Sequence, residues 1–263
     1  MMKYIKINMV LFKNAIIRDL KIPGVVISGI LFELLEVTVS IIFFNLIFGN
    51  TKSLGGWNFY QVLTLYAFAK FIIGFHNAWF KKGIQSMSQD LVRRGELDFY
   101  LAKPVNSMYM VSVSKPRVYT FINCLFSAGL GIYSIVHSGI NIGADNIFWF
   151  VILAILGITL YYFLSIITIT PVFWFIRLWG LQGIMYRVNQ FMRYPVNIFS
   201  PILKFSLFIF FPIMTASYFP VSTLFYDPSW KAILFVFFIT IIFGIITNSF
   251  WKLGLKRYGS ASS

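Results

Sequence analysis

Charge is what this sequence has least of. Only 11% of its 263 residues are Asp, Glu, Lys or Arg, against about 25% in a soluble domain. So few charges cannot solvate a globular surface, and a water-soluble enzyme is excluded on that ground. Cysteine is down to one residue, Cys124, which excludes an intrachain disulfide and any Cys-based zinc site. The two histidines, His76 and His137, lie far apart in sequence and do not suggest a metal centre. There is no GxxxxGK[ST] pattern, so no nucleotide is bound by a phosphate-cradling loop of that kind. No serine elbow or paired-carboxylate motif is present either. The first 21 residues do not read as a cleavable signal, because Lys6, Lys13 and Arg18 interrupt any apolar core.

What is present is apolar surface. Hydrophobic residues make up 59% of the chain, 31 of them Phe, and mean hydropathy is +0.79. The pattern predicts an all-α membrane protein with six transmembrane helices, at about 24–48, 59–80, 118–137, 147–175, 198–217 and 230–251. These lie in a membrane domain, 23–251, between an amphipathic segment, 1–22, and a tail, 252–263. A lipid-facing barrel would alternate in polarity, and Val151–Leu156 does not. Pro201 and Pro212 predict a kinked or split fifth span. No internal repeat is visible, so an inverted-repeat transporter is not supported.

The net charge of +14 is distributed unevenly. Six spans put residues 1–21, 81–117, 176–196 and 252–263 on one side, with 18 of the 22 Lys and Arg. The opposite side keeps Lys52 and Lys231, which predicts cytoplasmic termini. Basic residues scattered between apolar runs argue against nucleic acid as a partner. Residues 181–193 read as an amphipathic interfacial helix. Leu181, Ile184, Met185, Val188, Phe191 and Met192 fall on one arc, with Gln182, Arg187, Asn189, Gln190 and Arg193 on the other.

Three charged residues fall inside expected spans. Glu33 and Glu36 lie one helical turn apart in the first span, and Lys70 lies in the second. Counting rise per residue puts Glu33 ~15 Å and Lys70 ~13 Å from the cytoplasmic edge. Matched depth predicts a Glu33–Lys70 ion pair. Such a pair locks helices or marks a substrate or proton path; a protonated, packed carboxyl is the other option. His76 is expected at the membrane interface.

The longest polar stretch, 81–117, interleaves charge with Leu91, Leu97, Phe99, Tyr100 and Leu101. It reads as a docking element for a cytoplasmic partner or as a loop packed under its own bundle. Within it, Gly95-Glu96-Leu97-Asp98-Phe99-Tyr100-Leu101-Ala102-Lys103-Pro104-Val105-Asn106 resembles the GELD-x-x-L-x-[KR]-P stretch of bacterial ABC-2-type permeases. Gly56-Trp57-Asn58, Arg193-Tyr194-Pro195, Phe211-Pro212 with Ser217-Tyr218-Phe219-Pro220, and Phe250-Trp251 with Lys256-Arg257-Tyr258-Gly259-Ser260-Ala261-Ser262 are similar to further blocks of that family, in its order and spacing. Glu33 and Glu36 have no place in its pattern.

The resemblance implies an ABC-2 (type V) exporter-like permease in a bacterial cytoplasmic membrane, binding no cofactor itself. It implies two copies of a separate ATPase, which would hold ATP and magnesium, and a second permease subunit, identical or related. Loop 81–117 would then couple to the ATPase through Arg93, Arg94, Gly95, Glu96, Leu97, Asp98, Lys103 and Pro104. Segment 211–224 would be a candidate re-entrant element. The substrate expected is an amphiphile (drug, antibiotic, peptide or lipid). Two other functions compete. One is an ion-coupled secondary transporter using Glu33, Glu36 and Lys70. The other is a membrane enzyme acting on lipid, for which Asp145 and Asp227, or Asp90, Glu96 and Asp98, are the available carboxylates.

Overall fold

A computed structural model describes residues 2–87, 91–175 and 179–259 of the chain. Asp90, residues 260–262 of the C-terminal block and the side chains of Leu181, Gln182 and Ile184 lie outside the described residues. The chain is helical from end to end, with twelve α-helices among the described residues. Helix α1 (Met2–Leu20) leads into α2 (Pro23–Asn50), where Pro23 occupies the first turn and sacrifices no helical hydrogen bond. A tight turn through Gly55 and Gly56 then enters α3 (Phe59–His76). Asn58 and Gln61 form a reciprocal capping box at its start, each side chain taking the other's backbone N–H at 2.9 Å.

The polar loop contains three short helices, α4 (Lys82–Ser86), α5 (Asp98–Leu101) and α6 (Ser107–Val113). Two long helices follow, α7 (Phe121–Val136) and α8 (Ala144–Ile169). Then come α9 (Trp179–Val188), α10 (Pro201–Ile209), α11 (Ile213–Phe225) and α12 (Trp230–Arg257).

Helix α3 is the axis of the molecule. Thirteen of its 18 residues are buried, and it packs against α7, α8 and α11. Thr64 Oγ and Ser134 Oγ meet at 2.8 Å across the α3–α7 seam, which satisfies both hydroxyls away from water. Helices α8 and α11 approach more closely still. A Cβ at Gly157 would stand 2.3 Å from the Ala216 carbonyl oxygen, so only glycine fits there.

Length and apolarity pick out four helices able to cross a membrane: Pro23–Asn50, Val118–Val136, Ala144–Phe173 and Trp230–Arg257. The pair α10 and α11 adds a fifth if taken as one span, but it bends by 99°. Helix α3 is not among them, because Gln61, Lys70 and His76 dilute its apolarity.

The contacts correct two expectations. The sequence suggested an interfacial helix at 181–193 and a fifth span at 198–217. Instead, Met185 lines one cleft with Ile84 and Ile169 at the end of the bundle that carries the polar loop. Asn189 Nδ2 donates to Tyr161 Oη at 2.8 Å, and Arg193 reaches Glu36. Asn197 Nδ2 donates to the Gly55 carbonyl at 3.1 Å, at the opposite end. Residues 185–197 therefore traverse the bundle. The α10–α11 pair starts beside Gly55 and returns to the same end, where Asn146 Nδ2 donates to the Thr223 and Tyr226 carbonyls. The pair starts and finishes at one end of the bundle, so within the bundle the expected kinked segment has the shape of a hairpin. Its corner is Phe210–Pro212, where the helix breaks.

Candidate functional site

The three intramembrane charges are brought together. Lys70 Nζ stands 2.8 Å from Glu33 Oε1 and 2.8 Å from Glu36 Oε2. A fourth member was not visible in the sequence. Arg193 Nη2 donates to Glu36 Oε1 at 3.0 Å, and its guanidinium lies 5.5 Å from the Tyr66 ring centre. Two acids and two bases thus form one continuous chain of ion pairs. Glu33 and Lys70 are the buried half, with 2% and 7% of their side chains exposed; Glu36 and Arg193 are partly open at 30% and 19%. Arg193 was expected on the wet arc of a surface helix. It lies 157 residues from its partner, and the clue available was its place in the Arg193-Tyr194-Pro195 block.

His76 ends α3. It is buried against the edge of Tyr161, with ring centres 4.9 Å apart. A π-helical turn, Asn77–Lys81, follows it directly. There the Arg117 N–H donates to the Ala78 carbonyl at 2.8 Å, an outside partner for the disturbed helix ladder.

In the polar loop, the two sequence readings divide by residue. Leu91 and Leu97 are buried in a second core with Ile84, Met87, Val111, Ile169 and Trp251. The Leu97 N–H closes on the Leu91 carbonyl at 3.1 Å. The turn between them needs Gly95 at φ +74, a conformation in which a Cβ is strained. By contrast Arg93, Arg94, Glu96 and Pro104 are on the surface, and Phe99 is 68% exposed. Lys103 Nζ sits 4.4 Å above the Phe99 ring. Asp98 is turned toward the C-terminus: burial and then the Asp98 carboxylate push the Tyr258 hydroxyl above its ordinary range. Two blocks 160 residues apart in sequence therefore meet, and Asp98 belongs to the frame of the loop more than to its open face.

Helix α1 clasps this loop along its length. Lys3 Nζ donates to the Pro104 carbonyl at 2.8 Å, and Arg18 Nη2 to that of Pro116. Asp19 Oδ2 accepts from the Val118 and Tyr119 N–H groups at 2.7 and 3.2 Å, capping the helix that begins there. Among the described residues, no group of three or more His, Cys, Asp or Glu side chains could hold a metal ion.

Several apolar helices around a buried charge cluster, with a structured polar loop at one end, define a multi-pass membrane protein. A family model described as ABC-2 family transporter protein matches residues 34–262, and the chain belongs to that family. No curated protein matches it.

Proposed function

We propose that this chain is the membrane-spanning subunit of an ATP-binding cassette exporter, with its translocation path in the helical bundle and its ATPase on separate chains. Six crossings are made by α2, α3, α7, α8, the passage through 179–198, and α12. Both termini then share the basic, cytoplasmic side of a bacterial cell membrane. Two ATPase copies, carrying ATP and magnesium, dock below, and a second permease, identical or related, completes the path. The cargo is an amphiphile.

The observation that carries this reading is the divided character of loop 81–117. Its buried leucines fasten it to α8 and α12, while Arg93, Glu96, Phe99 and Leu101 face outward. Such a lever suits a force applied from outside the chain, and the sequence holds no nucleotide motif of its own. The ion-coupled alternative through Glu33, Glu36 and Lys70 has less support, since each carboxylate already has a cation beside it.

Purification from the native host in mild detergent, with mass spectrometry of what accompanies the chain, tests the proposal. A soluble ATPase at near-equal amount is expected, and a double Glu96→Arg/Phe99→Asp variant should retain about tenfold less of it. An intact, monodisperse chain with no ATPase would overturn the exporter reading.

A further inference from the structure

One cleft lies between the charge network, which lends it Arg193, and the start of the polar loop, which lends it Lys81 and Ile84. It is a cavity of about 160 Å³ between α3 and its π turn, α8 and α9, at the end of the bundle that carries the polar loop. Its inner surface is polar and under-satisfied. His76 Nε2, Asn189 Oδ1 and Arg193 Nε are buried polar atoms without a hydrogen-bond partner among the described residues. All three belong to side chains that line this one cleft. His76 is 7% exposed, and Asn189 is held by the bond its amide donates to Tyr161. Buried polar groups left without partners are rare in folded proteins, and three around one cavity call for an occupant that can pair with them.

The walls and the mouth say what kind of occupant. Ile73, Ile169 and Met185 supply an apolar wall. Lys81 stands at the mouth, carried there by the π turn. It also borders a neighbouring depression lined by Lys82 and Arg117. None of the described residues lining the cleft is acidic. Lys81, Arg193 Nε and the His76 ring offer donors beside an apolar wall, which select a ligand with a negative head and a hydrocarbon body, while Asn189 Oδ1, an acceptor, suits a hydroxyl or water beside that head.

We infer that this cleft binds an amphiphile through an anionic headgroup, phosphate or carboxylate, placed between Lys81, His76 and Arg193, with its apolar part along Ile73, Ile169 and Met185. The inference rests on the permease reading for the ligand's route, but the binding itself does not require an ATPase. It narrows the cargo or regulator from amphiphiles in general to anionic ones, and it places the site within one chain.

The test uses the full chain, stripped of lipid in detergent, and native mass spectrometry with three probes. Hexadecyl phosphate should bind about tenfold more tightly than hexadecanol, and hexadecylphosphocholine should fall between them; tenfold is about 1.4 kcal/mol. His76→Phe should lose about fivefold for hexadecyl phosphate and leave hexadecanol unchanged. His76→Gln, which keeps a hydrogen-bonding end, should recover most of that loss. Lys81→Gln should weaken the phosphate probe alone. Equal binding of the three probes, or wild-type binding by both His76→Phe and Lys81→Gln, would overturn the proposal. In a second sample purified without stripping, one-for-one displacement of a co-purified anionic lipid by hexadecyl phosphate identifies the site's occupant as a membrane lipid. Binding without lipid release identifies it as a transported or sensed molecule of the same chemistry. Because no ATPase is present, failure here is separate from failure of the exporter reading, which co-purification alone decides.

Discussion

Helices α2 and α3 stand side by side and are held by opposite means. Helix α3 buries 13 of 18 residues and is fixed by packing on every side. Helix α2 has 28 residues, of which only Glu33 and Phe44 are buried. Its partly buried residues, Val26, Gly29 and Ile30 and then Glu36, Val37, Ser40, Ile41, Ile47 and Phe48, follow a narrow stripe at three- and four-residue spacing. Leu31, Phe32, Leu35 and Leu46 point outward at more than 60% exposure. In lipid, such a helix gains little from hiding apolar surface, since the lipid tails are equally apolar. Charge supplies what packing does not. The Glu33–Lys70–Glu36 contact ties α2 to α3 where an unpaired ion would be costly.

That contrast can be broken most severely at Lys70. Lys70→Met leaves two carboxylates without their shared cation, and breaking a buried pair costs about 3–5 kcal/mol. The melting temperature in detergent should fall, and proteolysis should cut first around α2. Adding Glu33→Gln should restore most of the loss, because Glu36 keeps Arg193; a double variant as unstable as Lys70→Met would mean that Lys70 acts by shape and not by charge.

The next largest effect belongs to α3. Leu65→Ala empties a fully buried site in the main core and should cost about 2–4 kcal/mol, read as a lower unfolding midpoint in denaturing detergent. A smaller loss is expected at Asp19, where Asp19→Ala removes a carboxylate that accepts two backbone N–H groups: about 1 kcal/mol. Hydrogen exchange should then rise at 118–121 and nowhere in α3. The smallest effect sharpens the comparison. Leu35→Ala makes the same truncation as Leu65→Ala on the exposed side of α2 and should stay within about 0.5 kcal/mol. Equal losses at Leu35 and Leu65 in the same detergent would show that a partner covers α2.

The parts of this architecture that could be read in advance were those whose local chemistry agrees with their surroundings. The long apolar runs of α2, α7, α8 and α12 are helices close to where hydropathy puts them. Glu33 and Lys70 could be matched because charge is so rare in these runs that equal depth left few partners. The fifth passage misled for the converse reason. Gln182, Arg187, Asn189, Gln190 and Arg193 give 179–198 the look of a surface helix, yet Asn189 and Arg193 turn to partners on α8 and α2. The apolar stretch after it, with Leu203, Leu207, Phe208 and Ile213, looks like a span and returns to the side it came from. Hydropathy records the average of a segment and not the partner each side chain finds. The loop was half legible: its alternation of charge and leucine showed that something was packed, but not that Leu91 and Leu97 were inside while Phe99 was out.

The two buried residues of α2 have a mechanical meaning. Glu33 and Phe44 are eleven residues apart, three turns, so they lie on one line along the helix and about 16 Å from each other. Rolling the helix about that line would carry Glu33 and Glu36 away from Lys70, and tilting would lift the Phe44 ring out of the core, so the charge contact and the ring act as two rivets that hold α2 like a stave against the bundle.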